Sequence, residues 1–187
     1  MLETKDMWDR KDILLYLPEF YELYSSRPID DNTGGMKSAH MFNIWYILKK
    51  LKPKVIIESG VWMGQGTWFF EKACPESMIV CIDPNLNFRK YISPTAQYTT
   101  QDFLTIDWSK AIDTSETLVF FDDHQNSAHR LSHCNKHGFK HVVVEDNYPY
   151  NQGDCCSPKK ILSQKEYVID SNAVRTYYPP NKTEFEM

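Results

Sequence analysis

Two short runs of the chain end in acid. TLVFFDDHQ closes on Asp122 and Asp123, and HVVVEDNYP closes on Glu145 and Asp146. In each run β-branched and aromatic residues announce a buried strand, and the carboxylates fall where that strand must emerge. Grouped carboxylates repel and raise one another's pKa unless a cation, or a proton in transit, accounts for them. An all-oxygen set of this kind suits Mg2+, which keeps water or substrate oxygens in its remaining positions. His124 follows the first pair directly and is a candidate to take up a proton at neutral pH. Helix capping is the competing account of Asp122 and Asp123, since Asp is common before a helix. Capping leaves Glu145 beside Asp146 unexplained.

The elements that must position these acids alternate along the chain. Residues 8–24 read as an amphipathic helix, broken by RPIDDNTGG. Ser38 is placed to cap a second helix, SAHMFNIWYILKKL, whose Met41, Ile44, Trp45 and Leu48 make one buried stripe. Then come strand KVIIES, helix GTWFFEKAC, strand MIVCID, an irregular stretch, strand TLVFFD, helix NSAHRLSHCNKH stopped by Gly138, and strand KHVVVED. Strands in turn with helices, apolar on both sides, predict an α/β fold with a doubly wound, mainly parallel sheet behind an N-terminal helical segment. A length of 187 residues predicts a single domain. Its parts are N-terminal helices over 1–52, a core over 53–147, and an acceptor loop with a C-terminal edge hairpin over 148–187.

Composition narrows the partners. Hydrophobic residues at 42% and charged residues at 25% are globular values. A net charge of -4 gives no electrostatic reason to expect nucleic acid. No run reaches the length of a membrane span, and MLETKDMWDRKD lacks the apolar core of a secretion signal. The cysteines number five and lack CxxC spacing, which predicts reduced thiols and a cytoplasmic location, or host cytoplasm for a viral protein. Homo-oligomerisation is compatible with all of this. His129, His133 and His137 recur four apart, and with Leu131 and Cys134 taken as the buried side they are expected to form a solvated face.

The first strand runs into VIIESGVWMGQGT, where Gly60, Gly64 and Gly66 allow a tight turn and a close backbone approach to a ligand. No Gly-Lys-Ser/Thr follows, which excludes the nucleotide-triphosphate loop. The spacing GxxxGxG fits the dinucleotide fingerprint GxGxxG poorly, although Asp83 stands where a ribose-binding acid belongs. The string ExGxxxG of Glu58, Gly60 and Gly64 resembles the first motif of the class I S-adenosylmethionine-dependent methyltransferases, over roughly residues 36–147. IIESGVWMGQGTWFF and VVVED resemble, within them, the branch of cephalosporin hydroxylase-like proteins and macrocin-type sugar O-methyltransferases.

That resemblance implies a set of roles. Glu58 would hold the methionine amino end, Asp83 with Pro84 the ribose, and Asp102 with Phe103 the adenine. Gly60, Val61, Trp62, Gly64 and Asp122 complete the cofactor site. Mg2+ would be held by Asp122, with Asp123 as the other candidate, and by Glu145 and Asp146. Asp122, Asp123 and His124 would carry the chemistry, and a small molecule or glycan hydroxyl would be the acceptor. DDHQ departs from the DGD-type string of the macrocin group, and NYPYNQGDCCS departs from the usual continuation. Small methyltransferase-like domains of glycan-building gene clusters, including those of large viruses, are similar in DDHQ, EDNYP, GD and Ser-x-Lys. An NAD-linked oxidoreductase and a non-catalytic cofactor-fold scaffold are the rival classes.

Overall fold

Strand spacing and helix length together leave one economical packing, and a computed structural model describes it for residues 11–163. Five strands, β1 (Val55–Ser59), β2 (Met78–Ile82), β3 (Gln97–Thr99), β4 (Thr117–Phe121) and β5 (His141–Val144), form one sheet in the order β3-β2-β1-β4-β5. Every pairing is parallel. Helices α1 (Ile13–Ser25), α2 (Ser38–Leu51), α3 (Gln65–Ala73), α4 (Trp108–Ala111), α5 (Ser127–Lys136) and α6 (Pro158–Leu162) accompany the sheet among the described residues. The expected edge hairpin beyond residue 163 lies outside the described residues, as do residues 8–10 of the first helix.

Side-chain alternation along the strands divides the interior in two. Ile56, Cys81, Leu118 and Phe120 face one layer with Phe20 of α1, Met41, Trp45 and Leu48 of α2, and Phe69 and Phe70 of α3. Val55, Ile57, Ile82, Val119 and Phe121 face the other, with Phe103, Trp108 of α4, Cys134 of α5 and Phe139. Burying side chains of this size contributes about 1.5–3 kcal/mol each. The winding therefore reverses between β1 and β4, and a crevice opens at their carboxyl ends.

Local details depart from expectation for physical reasons. Ser38 is the first residue of α2 and Lys37 holds the cap position, with no side-chain capping bond. Asn126 caps α5, accepting from the amides of Ala128 and His129. Capping thus falls to Asn126 and leaves Asp122 free for other work. Leu131 is exposed, and Ala128, Arg130 and Cys134 are the buried side of α5. His133 accordingly packs edge-on against Phe103, and its ring lies tilted by 44° against that of His137 at 4.3 Å between centroids. The histidine row is part of the packing rather than a solvated face. All five cysteines are free and buried. Among the described residues no helix is long and apolar enough to cross a membrane.

Candidate functional site

The crevice is shaped by a turn that only glycine permits. Gly60 sits at φ +96°, and a Cβ there would lie 1.9 Å from the carbonyl oxygen of Asp122. The ends of β1 and β4 are in backbone contact at this point, and the amide of Asp122 donates to the carbonyl of Ser59 at 2.8 Å. The glycines expected to let a ligand approach thus serve first to let the protein approach itself: a Cβ on Gly64 would strike the Tyr91 carbonyl, and one on Gly66 the Glu58 carboxylate. Asp83, from the end of β2, closes the turn by accepting from the amides of Val61 at 2.9 Å and Trp62 at 3.2 Å. Trp62, at φ 48°, donates its indole N–H to the Thr33 carbonyl and so pins the Gly34–Gly35 loop over the crevice.

Two cavities meet there. One, of about 190 Å³, is lined by Gly60, Trp62, Asp83, Pro84 and Asp123, together with Gly34, Asp122 and His124. The other, of about 440 Å³, is lined by Lys37, His40, Glu145, Asp146, Tyr148 and Lys159 among others, and again by Gly34, Asp122 and His124. Asp122 and His124 therefore stand on the wall between them.

The four acids of the strand ends occupy three different environments. Asp123 accepts from Ser59 Oγ at 2.6 Å and from Arg130 Nε at 3.0 Å. Arg130, almost wholly buried, reaches on to Asp102 with a two-pronged pair at 2.9 and 2.8 Å. Burial pushes Asp123 up, against the pull of Arg130 and Ser59. Asp122 turns the other way, into the cavities, and no hydrogen-bond donor among the described residues reaches its carboxylate. Burial, and then Asp146, Glu145, Glu58 and Asp123, push its pKa well above the carboxylate range. Such a group calls for a cation or keeps its proton.

Asp146, 3% exposed, shares this side and accepts from the His124 amide at 3.2 Å. Burial raises its pKa too, against His124. Glu145 does not join them, because its carboxylate is engaged by His40 Nδ1 from α2. In its place stands His124, whose Nε2 lies 3.7 Å from Asp146 Oδ1 and whose Nδ1 lies 2.7 Å from Asp154 Oδ1. Burial opposes charge on that ring, yet Asp154, Asp146 and Asp123 outweigh it and raise its pKa. Donor atoms of Asp122, His124 and Asp146 all lie within 4.8 Å of one another. The donor atoms brought together are thus those of Asp122, Asp146 and His124, while Glu145 is paired with His40 and Asp123 with Arg130.

The residues implied for the cofactor divide. Gly60, Trp62, Asp83, Pro84 and Asp122 line the smaller cavity. Glu58, Val61, Gly64, Asp102 and Phe103 line neither. Glu58 belongs to the even-numbered side of β1 and so points under α3, 1% exposed, where it accepts from Thr67 Oγ1 and, at 3.4 Å, from Cys81 Sγ. Burial pushes its pKa up to about 8, against the hydrogen bonds from Thr67 and Cys81. Phe103 is fully buried in the second core layer, the Val61 side chain lies in the first, and both oxygens of Asp102 are taken by Arg130. Sequence reasoning missed Arg130 and gave His40 and Asp154 no firm role. Arg130 carried a signal, a lone arginine on the helix that follows the acidic strand end.

No family model matches the sequence, and no curated protein does. Solved structures do match the fold. The SAH-bound methyltransferase PaMTH1 of Podospora anserina aligns at 15% identity and TM-score 0.52, covering 86% of this chain and 71% of its own. An SAH complex of CmcI aligns at 15% identity and TM-score 0.54, covering 82% of this chain and 84% of its own. With a five-stranded parallel sheet, a winding reversal at β1/β4 and a glycine turn closed by the acid of the next strand, the chain has the Rossmann-like fold of the class I S-adenosylmethionine-dependent methyltransferases.

Proposed function

We propose that the protein is an S-adenosylmethionine-dependent O-methyltransferase, assisted by a divalent cation, that methylates a hydroxyl of a sugar or glycan. One observation carries the reading: Asp122 and His124 form the shared wall of two cavities, the smaller against the glycine turn and Asp83, the larger against Lys37, His40, Glu145 and Asp146. A donor in the first and an acceptor in the second would meet at that wall. In the larger cavity Lys37, His40, Asn147, Tyr148 and Lys159 all present hydrogen-bonding groups, which suits a polyhydroxylated acceptor better than an apolar ring.

The residues divide the work. Gly60, Trp62 and Asp83 shape the donor cavity, where Asp83, held by the amides of Val61, Trp62 and Asn85, would meet ribose hydroxyls through its remaining acceptor positions. Asp122, Asp146 and His124 are the groups that would hold a cation, and the unpartnered Asp122 carboxylate fits that role. When bound, a divalent ion lowers the pKa of an adjacent hydroxyl by several units. His40 Nδ1 is tied to Glu145, which leaves Nε2 as the atom to accept the acceptor's proton while the methyl group passes to the oxygen. The proton thus ends on His40 and the methyl on the acceptor, with the spent donor as the other product.

Ligand-induced thermal stabilisation separates this reading from its rivals. SAH is expected to raise the melting temperature of the full chain and NADH to leave it unchanged, with the SAH effect reduced in Asp83→Ala. Stabilisation by NADH alone would point to a dehydrogenase on the same sheet. Binding of SAH with no methyl transfer to any member of a sugar panel would favour a scaffold.

A further inference from the structure

We infer that the cation taken at the cavity wall is a first-row transition-metal ion of the Mn2+ to Zn2+ series in preference to Mg2+, ligated by Asp122, Asp146 and His124 Nε2, with Asp154 as the positioning residue. The inference rests on the metal-assisted reading above and gives the ion its chemical class. Mg2+ selects oxygen donors almost exclusively, whereas an imidazole among two carboxylates suits Mn, Fe, Co or Zn. Here Glu145, the acid just past the fifth strand that would complete an all-oxygen set, is paired with His40, and it is the imidazole of His124 that stands with Asp122 and Asp146.

The placement of that ring is what distinguishes a ligand from a bystander. Its Nδ1 meets Asp154 Oδ1 at 2.7 Å, so the N–H sits on Nδ1 and the lone pair is left on Nε2. Nε2 faces Asp146 Oδ1 at 3.7 Å, beyond hydrogen-bond reach, the separation of two donor atoms that share a third partner. Two ligands at metal distance from one ion stand up to about 4.4 Å apart. The observed spread of 4.8 Å or less asks for only small side-chain adjustments. Asp122 supplies the remaining donor with no competing hydrogen bond among the described residues, and the adjoining 440 Å³ cavity leaves room for acceptor oxygens or water on the open side. A carboxylate that fixes the tautomer of a ligating histidine raises metal affinity about 10- to 100-fold.

The test uses the full-length protein and two readouts other than activity. Calorimetric titration in the presence of SAH is expected to give a single site at which Mn2+ or Zn2+ binds at least about ten times more tightly than Mg2+. Pulsed electron paramagnetic resonance of the Mn2+ complex is expected to show nitrogen-14 modulation from a coordinated imidazole, absent in His124→Asp. Asp154→Asn should weaken Mn2+ binding by about 10- to 100-fold while leaving SAH affinity unchanged. Equal affinities for Mn2+ and Mg2+, or a Mn2+ spectrum of the unmodified protein without nitrogen modulation, would overturn the assignment whatever the variants do. SAH affinity is read in the same titrations, so failure of the methyltransferase reading registers separately from failure of the ion assignment.

Discussion

Replacing Arg130 by Met is the perturbation with the most legible consequence. The arginine is buried to 4% side-chain exposure between Asp123, 12% exposed, and Asp102, 48% exposed. Solvent screens the Asp102 limb, so little of the loss comes from there. The Asp123 limb differs: without Arg130 the carboxylate keeps only Ser59 Oγ and the Gln125 amide as partners, in surroundings that already raise its pKa. Removing one partner of a buried ion pair costs about 3–5 kcal/mol, which for a domain of this size lowers Tm by about 6–20 °C. The variant should also acquire a pH dependence. Its stranded Asp123 would have a folded pKa above the unfolded value, so native protein binds the proton more tightly. Stability is then retained at low pH and lost as pH rises through the folded pKa. Urea unfolding at pH 5 and pH 8 reads both effects, and Asp123→Asn in the same background should recover much of the loss at pH 8. A cost below about 1 kcal/mol that is the same at both pH values would refute the argument that this pair is structurally buried.

Gly60→Ala should destabilise by more than about 3 kcal/mol, because its Cβ meets a backbone carbonyl at 1.9 Å in a left-handed conformation, and the denaturant midpoint checks it. Glu58→Gln should flatten the stability–pH curve. The Glu58 pKa is raised to about 8, so its contribution is present at low pH and falls away as pH rises from the ordinary carboxylate range to about 8; a variant with the same slope as the parent over that range would contradict a neutral, buried Glu58. His40→Gln should lower kcat by about 10²- to 10⁴-fold with SAH affinity unchanged in calorimetry, and undiminished kcat would remove His40 as the proton acceptor.

The alternation of strand and helix was legible because long apolar runs ending in turn residues leave few other readings, and β1, β2, β4 and β5 fall where VIIES, MIVCI, TLVFF and HVVV stand. β3 and α4 were not legible: Gln97–Thr99 is a polar edge strand of three residues and Trp108–Ala111 a helix of four, both too short for a period to repeat. Parity decided the fate of the site residues. Glu58 and Ser59 are neighbours on β1, yet one points beneath α3 and the other toward Asp123. The motif that singles out Glu58 does not say which face of the sheet an even-numbered residue takes. The acids at 122 and 123 pose the same question one strand over, and what separates them is Arg130, a partner contributed by a helix turn that the strand motif does not contain. His40 and Asp154 arrive from the second helix and from the loop after β5, and only the folded chain brings them to Glu145 and His124.

The most direct test of the account is transfer of a labelled methyl group from S-adenosylmethionine to a sugar acceptor, measured beside SAH affinity in the parent chain and in Asp122→Asn. The parent should transfer the methyl group and the variant should not, with the same SAH dissociation constant in both. Equal transfer by the two proteins would contradict it, because the carboxylate between the cavities would then have no part in joining donor to acceptor.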